Sequence, residues 1–166
     1  MDFDTEYWVR SILVSHMGLE KNVKIIDKRI EYHVFAGGDT LSLFDEIIRL
    51  TERKRRIVAL RVIVTEMLNS LTPKRRALLG DRYIYEKTCA EAAEEAGISL
   101  RQYFPAHDAA IKECAEYLTE RGCTAQWFGR YYGGEAWITD PLNRRGFTGI
   151  LARLPEAAVP ETNSLC

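Results

Sequence analysis

LTPKRRALLGDRYIYEKTCAEAAEEAGISLRQYFPAHDAAIKECAEYL (residues 71–118) is the stretch that decides the fold, because it contains two helix starts eleven residues apart. Two residue pairs match the capping box, Thr88 with Glu91 and Ser99 with Gln102. In that motif the first side chain accepts a hydrogen bond from the backbone N–H of the fourth residue. The fourth side chain accepts one from the backbone N–H of the first. The stretch therefore predicts two consecutive helices.

The residues between and after the two helix starts fit a close crossing of the helices. Gly97 is expected to end the first helix, because glycine readily adopts the left-handed conformation that a sharp helix end requires. Small or apolar side chains line the expected inner faces: Ala92, Ala93, Ala96, Ile98, Tyr103 and Ala106. This spacing is typical of a DNA-reading helix-turn-helix, which we predict for residues 88–108. A solvent-exposed helical hairpin within a bundle would carry the same local signals.

The same segment carries a family resemblance. The pattern consists of Leu71-Thr72-Pro73-Lys74-Arg75-Arg76, Arg82-Tyr83, residues 88–93 and Gly97-Ile98-Ser99. It resembles region 4 of sigma-70-type RNA polymerase sigma factors, and residues 5–120 are similar in layout to small phage and mobile-element sigma-like regulators of Gram-positive bacteria. The resemblance implies binding to promoter-like duplex DNA, with RNA polymerase as an implied further partner. No segment resembles the one that melts the −10 element, so a complete sigma factor is not implied.

A helix-turn-helix would assign roles to residues on and around its second helix. The first turns of a recognition helix enter the major groove, so its outward side chains meet base edges. The base-reading candidates are Arg101 and Gln102, then Phe104 against a thymine methyl, with His107 and Asp108 at the groove edge. The phosphate-contact candidates are Lys74, Arg75, Arg76, Lys87 and Thr88. The alternatives are a purely capping role for Gln102 and burial of Phe104.

Pro105 departs from the pattern expected of a recognition helix. It is the sixth residue after Ser99, where proline removes a backbone N–H and clashes with the carbonyl of Arg101. In a regular helix this costs about 3 kcal/mol. Three outcomes are open: a kinked recognition helix, a helix that starts later, or a degenerate motif that no longer reads DNA.

The charge of the chain argues against strong solitary DNA binding. The formal net charge is −1, whereas duplex-binding proteins are usually basic because phosphate neutralisation supplies much of their affinity. Positive charge is concentrated in two clusters, residues 53–56 and 74–76, each of which is also what a solvated helix face would carry. We therefore expect modest intrinsic affinity, with a partner or a dimer contributing.

The N-terminal part predicts two long amphipathic helices. One apolar seam follows helical spacing: Leu19, Val23, Ile26, Ile30 and Val34, extended backwards by Trp8, Ile12 and Leu13 across a weak point at Gly18. Gly37 and Gly38 stop this helix, and Asp39 or Thr40 is expected to cap the next. The short loop favours an antiparallel pair. The apolar stripes are read as packing core or as the seam of a homodimer.

The fold class predicted for the whole chain is all-α, in three parts. Residues 1–70 form the N-terminal antiparallel pair, residues 71–121 the region-4-like helix-turn-helix domain, and residues 122–166 an irregular tail. The tail contains Trp127, Phe128, Tyr131, Tyr132, Trp137 and Phe147 with glycines and prolines, and three roles are open for it: a cover on the helices, a partner-binding patch or an unrelated extension. Its end, residues 155–166, is expected to be flexible.

Composition and motifs bound the function. No apolar run reaches membrane-spanning length and no signal peptide precedes the first helix, which predicts a cytoplasmic chain without a membrane partner. The four cysteines, Cys89, Cys114, Cys123 and Cys166, and the three histidines lack metal-ligand spacing, and no enzyme or cofactor signature is present. The leading hypothesis is a sequence-specific DNA-binding transcriptional regulator or sigma-like factor. The alternative is a degenerate helix-turn-helix that binds RNA polymerase or another protein instead of DNA.

Overall fold

The computed structural model describes residues 4–139, and every regular element within them is helical. The helices are α1 (Thr5–Ser15), α2 (Leu19–Ala36), α3 (Thr40–Ser70), α4 (Pro73–Tyr83), α5 (Cys89–Glu95), α6 (Leu100–Glu120), α7 (Ala125–Tyr132) and α8 (Ala136–Thr139). The all-α prediction is confirmed for this part of the chain. None of its helices is both long enough and apolar enough to cross a membrane.

The chain divides into two compact units. The two-helix unit comprises residues 16–65, and the main unit comprises residues 4–15 together with 66–139. A 3-10 turn, His16–Gly18, separates α1 from α2 at the weak point noted around Gly18. The division therefore differs from the predicted boundary at residue 70, since α1 belongs with the helices that follow α3.

In the two-helix unit, local chemistry sets the helix ends. Gly37 has a φ of 69° directly after α2, and the Asp39 carboxylate accepts a hydrogen bond from the Ser42 backbone N–H at 3.1 Å, which caps α3. Both features confirm the predicted stop and start. The buried side chains are Leu19, Ile26, Leu50, Ile57, Leu60 and Val64. Of the predicted α2 seam, Val34 is instead more than half exposed.

Charged side chains connect α2 and α3 within this unit. Lys54 Nζ lies 2.6 Å from the Asp27 carboxylate. Glu46 lies 3.9 Å from both Arg29 and His33.

In the main unit, α1 packs against α6, α7 and α8. The Trp8 ring stacks on Phe128 with 5.6 Å between centroids, and the Tyr7 hydroxyl donates to the Thr139 carbonyl at 2.9 Å. The prediction of an irregular tail is wrong for residues 125–132 and 136–139, which are helical. The Thr124 side chain caps α7, and burial of Phe128 and Tyr132 supplies the apolar face that makes this short helix stable. Residues 140–166, including Phe147 and Cys166, lie outside the described residues.

Candidate nucleic-acid interface

Both predicted capping boxes are present at the helix starts. The Glu91 N–H donates to Thr88 Oγ1 at 3.2 Å, and the Thr88 N–H donates to Glu91 Oε2 at 2.7 Å. The Gln102 N–H donates to Ser99 Oγ at 3.2 Å, and the Ser99 N–H donates to Gln102 Oε1 at 3.0 Å. Each box satisfies backbone donors that have no partner inside the helix, so α5 and α6 begin where the sequence predicts.

The turn between α5 and α6 depends on Gly97. Its φ is 68°, in the left-handed region that glycine enters without steric cost. The Gly97 N–H donates to the Glu94 carbonyl and the Ile98 N–H to the Ala93 carbonyl, each at 3.0 Å. This pair of bonds is the Schellman pattern, which satisfies the last carbonyls of α5. The predicted helix stop at Gly97 is confirmed.

An apolar cluster joins α4, α5 and α6. Leu78, Ala92, Ala93 and Tyr103 are buried in it, and half-buried Cys89, Ala96, Ile98, Phe104 and Ala106 pack around them. The small residues Ala92 and Ala93 allow the helix backbones to approach closely. The inward roles predicted for Ala93, Ile98 and Tyr103 are confirmed, and the cluster holds the start of α6 in a defined position.

Only one base-reading candidate is both exposed and without another structural role. Arg101 is exposed on the first turn of α6 and has no ion pair among the described residues. Gln102 is also exposed, but its Oε1 is engaged in the cap of α6. Phe104 is half-buried against the apolar cluster. Gln102 therefore caps α6, and Phe104 packs against the cluster, as the alternatives to base reading predicted.

His107 faces the interior instead of a groove, which corrects its placement at an exposed helix edge, and Asp108 is half-exposed but paired within the chain. His107 is 1% exposed, and its Nε2 lies 2.9 Å from the Tyr83 hydroxyl. Asp108 is partly buried, and its Oδ1 lies 3.2 Å from Arg10 Nη2 on α1. The reason is geometric: α1 packs along α6, which brings Arg10 within reach of Asp108.

These residues form a polar network inside the main unit. His107 Nδ1 lies 3.5 Å from Asp108 Oδ1, so the chain of contacts runs from Tyr83 through His107 and Asp108 to Arg10. Burial lowers the pKa of His107, while the hydrogen bond from His107 and the nearby Arg10 guanidinium lower the pKa of Asp108. A neutral imidazole next to a carboxylate carries its proton on Nδ1 and accepts from the Tyr83 hydroxyl at Nε2.

Sequence reasoning missed this network. Arg10 contacts a residue 98 positions away, and nothing in the sequence around Arg10 indicates a buried partner. The available signal was helical spacing on the inward face of α6, where Tyr103 and His107 lie four residues apart. Such spacing places residues on one side of a helix but does not say what packs there.

The phosphate-contact candidates are mostly engaged within the chain. Arg75 forms an ion pair with Glu113. The Arg76 guanidinium donates to the carbonyls of Leu68, Asn69 and Leu71. Lys87 Nζ lies 3.0 Å from Asp81 and 3.3 Å from Glu95, and Thr88 caps α5. Lys74, in the exposed first turn of α4, has no ion pair among the described residues.

The region around α5 is acidic. Glu91, Glu94 and Glu95 are exposed on this helix. The hydrogen bonds from the backbone and side chain of Thr88 lower the pKa of Glu91, so its carboxylate is ionised at neutral pH. This surface repels phosphate, whereas Lys74 and Arg101 attract it. An approaching duplex would therefore meet charge of both signs.

Pro105 lies inside a continuous helix. α6 runs from Leu100 to Glu120, and Ser99 caps it, so the helix does not start later than predicted. Buried Tyr103 and His107 on either side anchor the helix by packing. This burial compensates for the hydrogen bond that Pro105 cannot donate.

Metal and thiol chemistry find little support in residues 4–139. No group of three or more His, Cys, Asp or Glu side chains in that range is arranged to hold a metal ion. Cys89, Cys114 and Cys123 are free thiols, and burial raises the pKa of Cys114 to about 12. A thiol with so high a pKa is a poor nucleophile at neutral pH.

Comparison with known proteins gave no relative. No protein-family model, curated protein or solved structure matches this chain.

Proposed function

We propose that α5, the Gly97 turn and α6 form a helix-turn-helix of sigma region-4 type that binds duplex DNA. In this proposal the protein is a small transcriptional regulator or sigma-like factor of phage or mobile-element origin. The proposal includes an antiparallel arrangement of α2 and α3 that precedes the DNA-binding part. RNA polymerase is the proposed additional partner, as the resemblance to region 4 implies.

One observation carries the proposal. Two fully capped helices meet at a Schellman turn around a shared apolar cluster, and Arg101 is left exposed on the first turn of the second helix. The first turn of a recognition helix meets base edges, and arginine binds guanine with two hydrogen bonds. Lys74 adds a positive charge for phosphate at the start of α4.

The expected affinity is modest. Arg75 and Lys87 are already paired with carboxylates, and α5 presents three exposed glutamates. Few cations therefore remain to release counterions from DNA, so the salt dependence of binding should be shallow for a duplex-binding protein.

The test is fluorescence anisotropy with duplex fragments from the protein's own locus, over a series of salt concentrations. We expect binding that weakens as salt rises and that R101E abolishes. R130E is the matched control, because Arg130 is an exposed arginine on α7, outside the proposed helix-turn-helix. Equal loss of binding in R101E and R130E, or no binding at low salt, would reject the proposal.

A second candidate function rests on the acidic face of α5. Glu91, Glu94 and Glu95 suit a basic protein surface better than a phosphate backbone. In this alternative the helix-turn-helix is degenerate and binds RNA polymerase or another protein. Capture of RNA polymerase by the tagged chain, abolished by E94K/E95K and accompanied by no DNA binding, would favour this function over the first.

A further inference from the structure

The positive charge of the chain is concentrated in the two-helix unit. Residues 16–65 contain ten Lys or Arg and seven Asp or Glu, whereas residues 4–15 and 66–139 contain ten Lys or Arg and thirteen Asp or Glu. The helix-turn-helix proposed to bind DNA therefore lies in a negatively charged unit, and a positively charged unit precedes it in the chain. Charge asymmetry of this kind is typical of proteins that bind a polyanion.

The basic run at residues 53–56 is largely engaged inside this unit. Lys54 pairs with Asp27 at 2.6 Å, and Arg55 pairs with Glu52 at 3.0 Å. The other two arginines of the run are half-buried. The most conspicuous basic cluster of the sequence is therefore not the surface that offers the most available positive charge.

Three exposed lysines on α2, which we call the lysine row, offer more of it: Lys21, Lys24 and Lys28. They are spaced three and four residues apart and so share one face of the helix, opposite the buried Ile26. Lys21 and Lys28 have no ion pair among the described residues. Lys24 lies 3.0 Å from Glu20, but both side chains are about 70% exposed, so this pair is weak.

The carboxylates at the edge of the lysine row do not cancel its charge. The hydrogen bond from Lys24 lowers the pKa of Glu20, and the positive charge of Arg61 on α3 lowers it further. Arg61 is exposed and has no ion pair within the described part of the chain, so it adds a fourth cation beside the row. Glu31, one helical turn beyond the row, is the other exposed carboxylate on this side of α2. The row and Arg61 thus carry four positive charges against two negative ones.

We propose that the lysine row binds the phosphate backbone of duplex DNA, an inference that rests on the DNA binding proposed above. At 1.5 Å per residue the row spans about 10 Å, over which one DNA strand presents about three phosphates at a rise of roughly 3.4 Å. Evenly placed lysines suit a regular line of phosphates, because each ammonium acts as a point charge that needs no particular partner geometry. The row supplies the sequence-independent affinity that Arg75 and Lys87, engaged within the chain, do not.

An anionic membrane is the competing partner, because apolar residues share the face with the lysines. Ile25 lies within the row, and Tyr32 and Phe35 lie beyond it, with exposed fractions of 45%, 68% and 85%. A helix that enters a membrane surface buries a continuous apolar face and keeps its lysines at the border. In α2 the lysines occupy the centre of the face, which favours DNA.

The salt dependence of duplex binding tests the inference. Each phosphate contact adds about 0.9 to the slope of log Kd against log salt concentration, so K21Q/K28Q should lower the slope by about two and weaken binding at low salt at least about tenfold. The loss should be equal for preferred and unrelated duplexes, since phosphates carry no sequence information. Even with Lys74 and Arg101 added, the contacts stay below the roughly six to ten of strongly salt-dependent proteins, so the overall slope remains shallow.

K112Q/R130Q is the matched control, because it removes the same charge from two exposed cations of the main unit. Glutamine is a good helix former, and circular dichroism checks that both double variants remain helical. DNA binding by the unmodified chain with the same slope in K21Q/K28Q, or an equal change in both variants, would overturn the inference and leave the proposed helix-turn-helix in place. Absence of duplex binding by the unmodified chain would reject both.

Sedimentation with vesicles of phosphatidylserine and phosphatidylcholine tests the competing partner. We expect the unmodified chain to stay in the supernatant at the salt concentrations used for DNA. Vesicle binding that K21Q/K28Q removes, combined with an unchanged salt slope for DNA, would assign the lysine row to a membrane and overturn the inference.

Discussion

Tyr83 on α4 and His107 on α6 share a buried hydrogen bond, with 2.9 Å between the Tyr83 hydroxyl and His107 Nε2. Both residues are 1% exposed. The contact continues through Asp108 to Arg10, so one polar network connects α4, α6 and α1. Part of the helix face that the sequence assigned to DNA is therefore an internal joint between three helices.

The buried His107 makes stability depend on pH. Burial lowers its pKa below the ordinary 6.5, so the unfolded chain takes up a proton first as the pH falls. We expect the unfolding free energy to be fully present above pH 6.5 and to fall below it, by at most about 1.4 kcal/mol per pH unit for this residue. Urea unfolding followed by tryptophan fluorescence measures this, because Trp8, Trp127 and Trp137 all lie in the main unit.

H107Q should flatten that pH dependence. H16Q is the control, since burial also lowers the pKa of His16, but His16 belongs to the two-helix unit. H107Q should therefore change the pH dependence of the unfolding that tryptophan fluorescence reports, and H16Q should leave it unchanged. An unchanged slope between pH 7 and 5 in H107Q would contradict a buried neutral histidine.

The ion pair between Arg10 and Asp108 should contribute more to the unfolding free energy than the one between Arg75 and Glu113. The Arg10 side chain is 7% exposed, so D108A leaves a buried cation without its carboxylate, which should cost about 2 kcal/mol. E113A removes the partner of Arg75, whose side chain is half-exposed, and should cost less than about 1 kcal/mol. In chemical denaturation, R10M/D108A should recover much of the D108A loss; additive losses would argue against a pair.

Any side chain at Gly97 should lower the stability of the protein. G97A places a Cβ at a φ of 68°, where L-residues are strained, and we expect a loss of about 1 kcal/mol. G129A adds a Cβ inside α7, where nothing lies within 4 Å, and should be neutral or stabilising by up to about 1 kcal/mol. The melting temperatures of the two variants test this prediction. A lower melting temperature for G129A but not for G97A would contradict it.

Helix α7 should contribute to the core of the main unit. Phe128 is fully buried and stacks on Trp8, so F128A should cost about 3–5 kcal/mol through the cavity it leaves. Y131A on the same helix removes a ring that is 44% exposed and should cost much less. Similar denaturation midpoints for both variants would mean that α7 does not pack as described.

Arg101 and Gln102 are neighbours with different expected roles. If the proposed DNA binding is correct, R101A should weaken binding to the preferred duplex by roughly tenfold or more and reduce its preference over other sequences, without changing stability. Q102A removes one acceptor of the α6 cap and should cost about 0.5–1 kcal/mol of stability. Anisotropy and thermal unfolding of the same samples separate these effects, and a stability loss in R101A would assign it a structural role.

Much of the helical layout could be predicted from the sequence, because helix ends depend on neighbouring residues. The boxes at Thr88 and Ser99 and the stop at Gly97 involve contacts over three to five residues. The helices after residue 122 were not predicted, since their apolar faces become recognisable only when α1 is present to cover Phe128 and Ile138. The structure excludes only one of the three sequence outcomes for Pro105, a later helix start: the local cost of the proline is real, but long-range packing around Tyr103 and His107 holds the helix.

The sequence by itself determined where α5 and α6 begin and where the chain turns between them, since capping and the left-handed glycine are properties of a few consecutive residues. Only the tertiary structure decided which side of α6 is outside. α1, about a hundred residues earlier in the chain, packs along α6 and pairs with Asp108 through Arg10, while His107 is buried and Arg101 is left exposed. Helical spacing tells which residues share a face, but burial depends on which distant helix packs against that face.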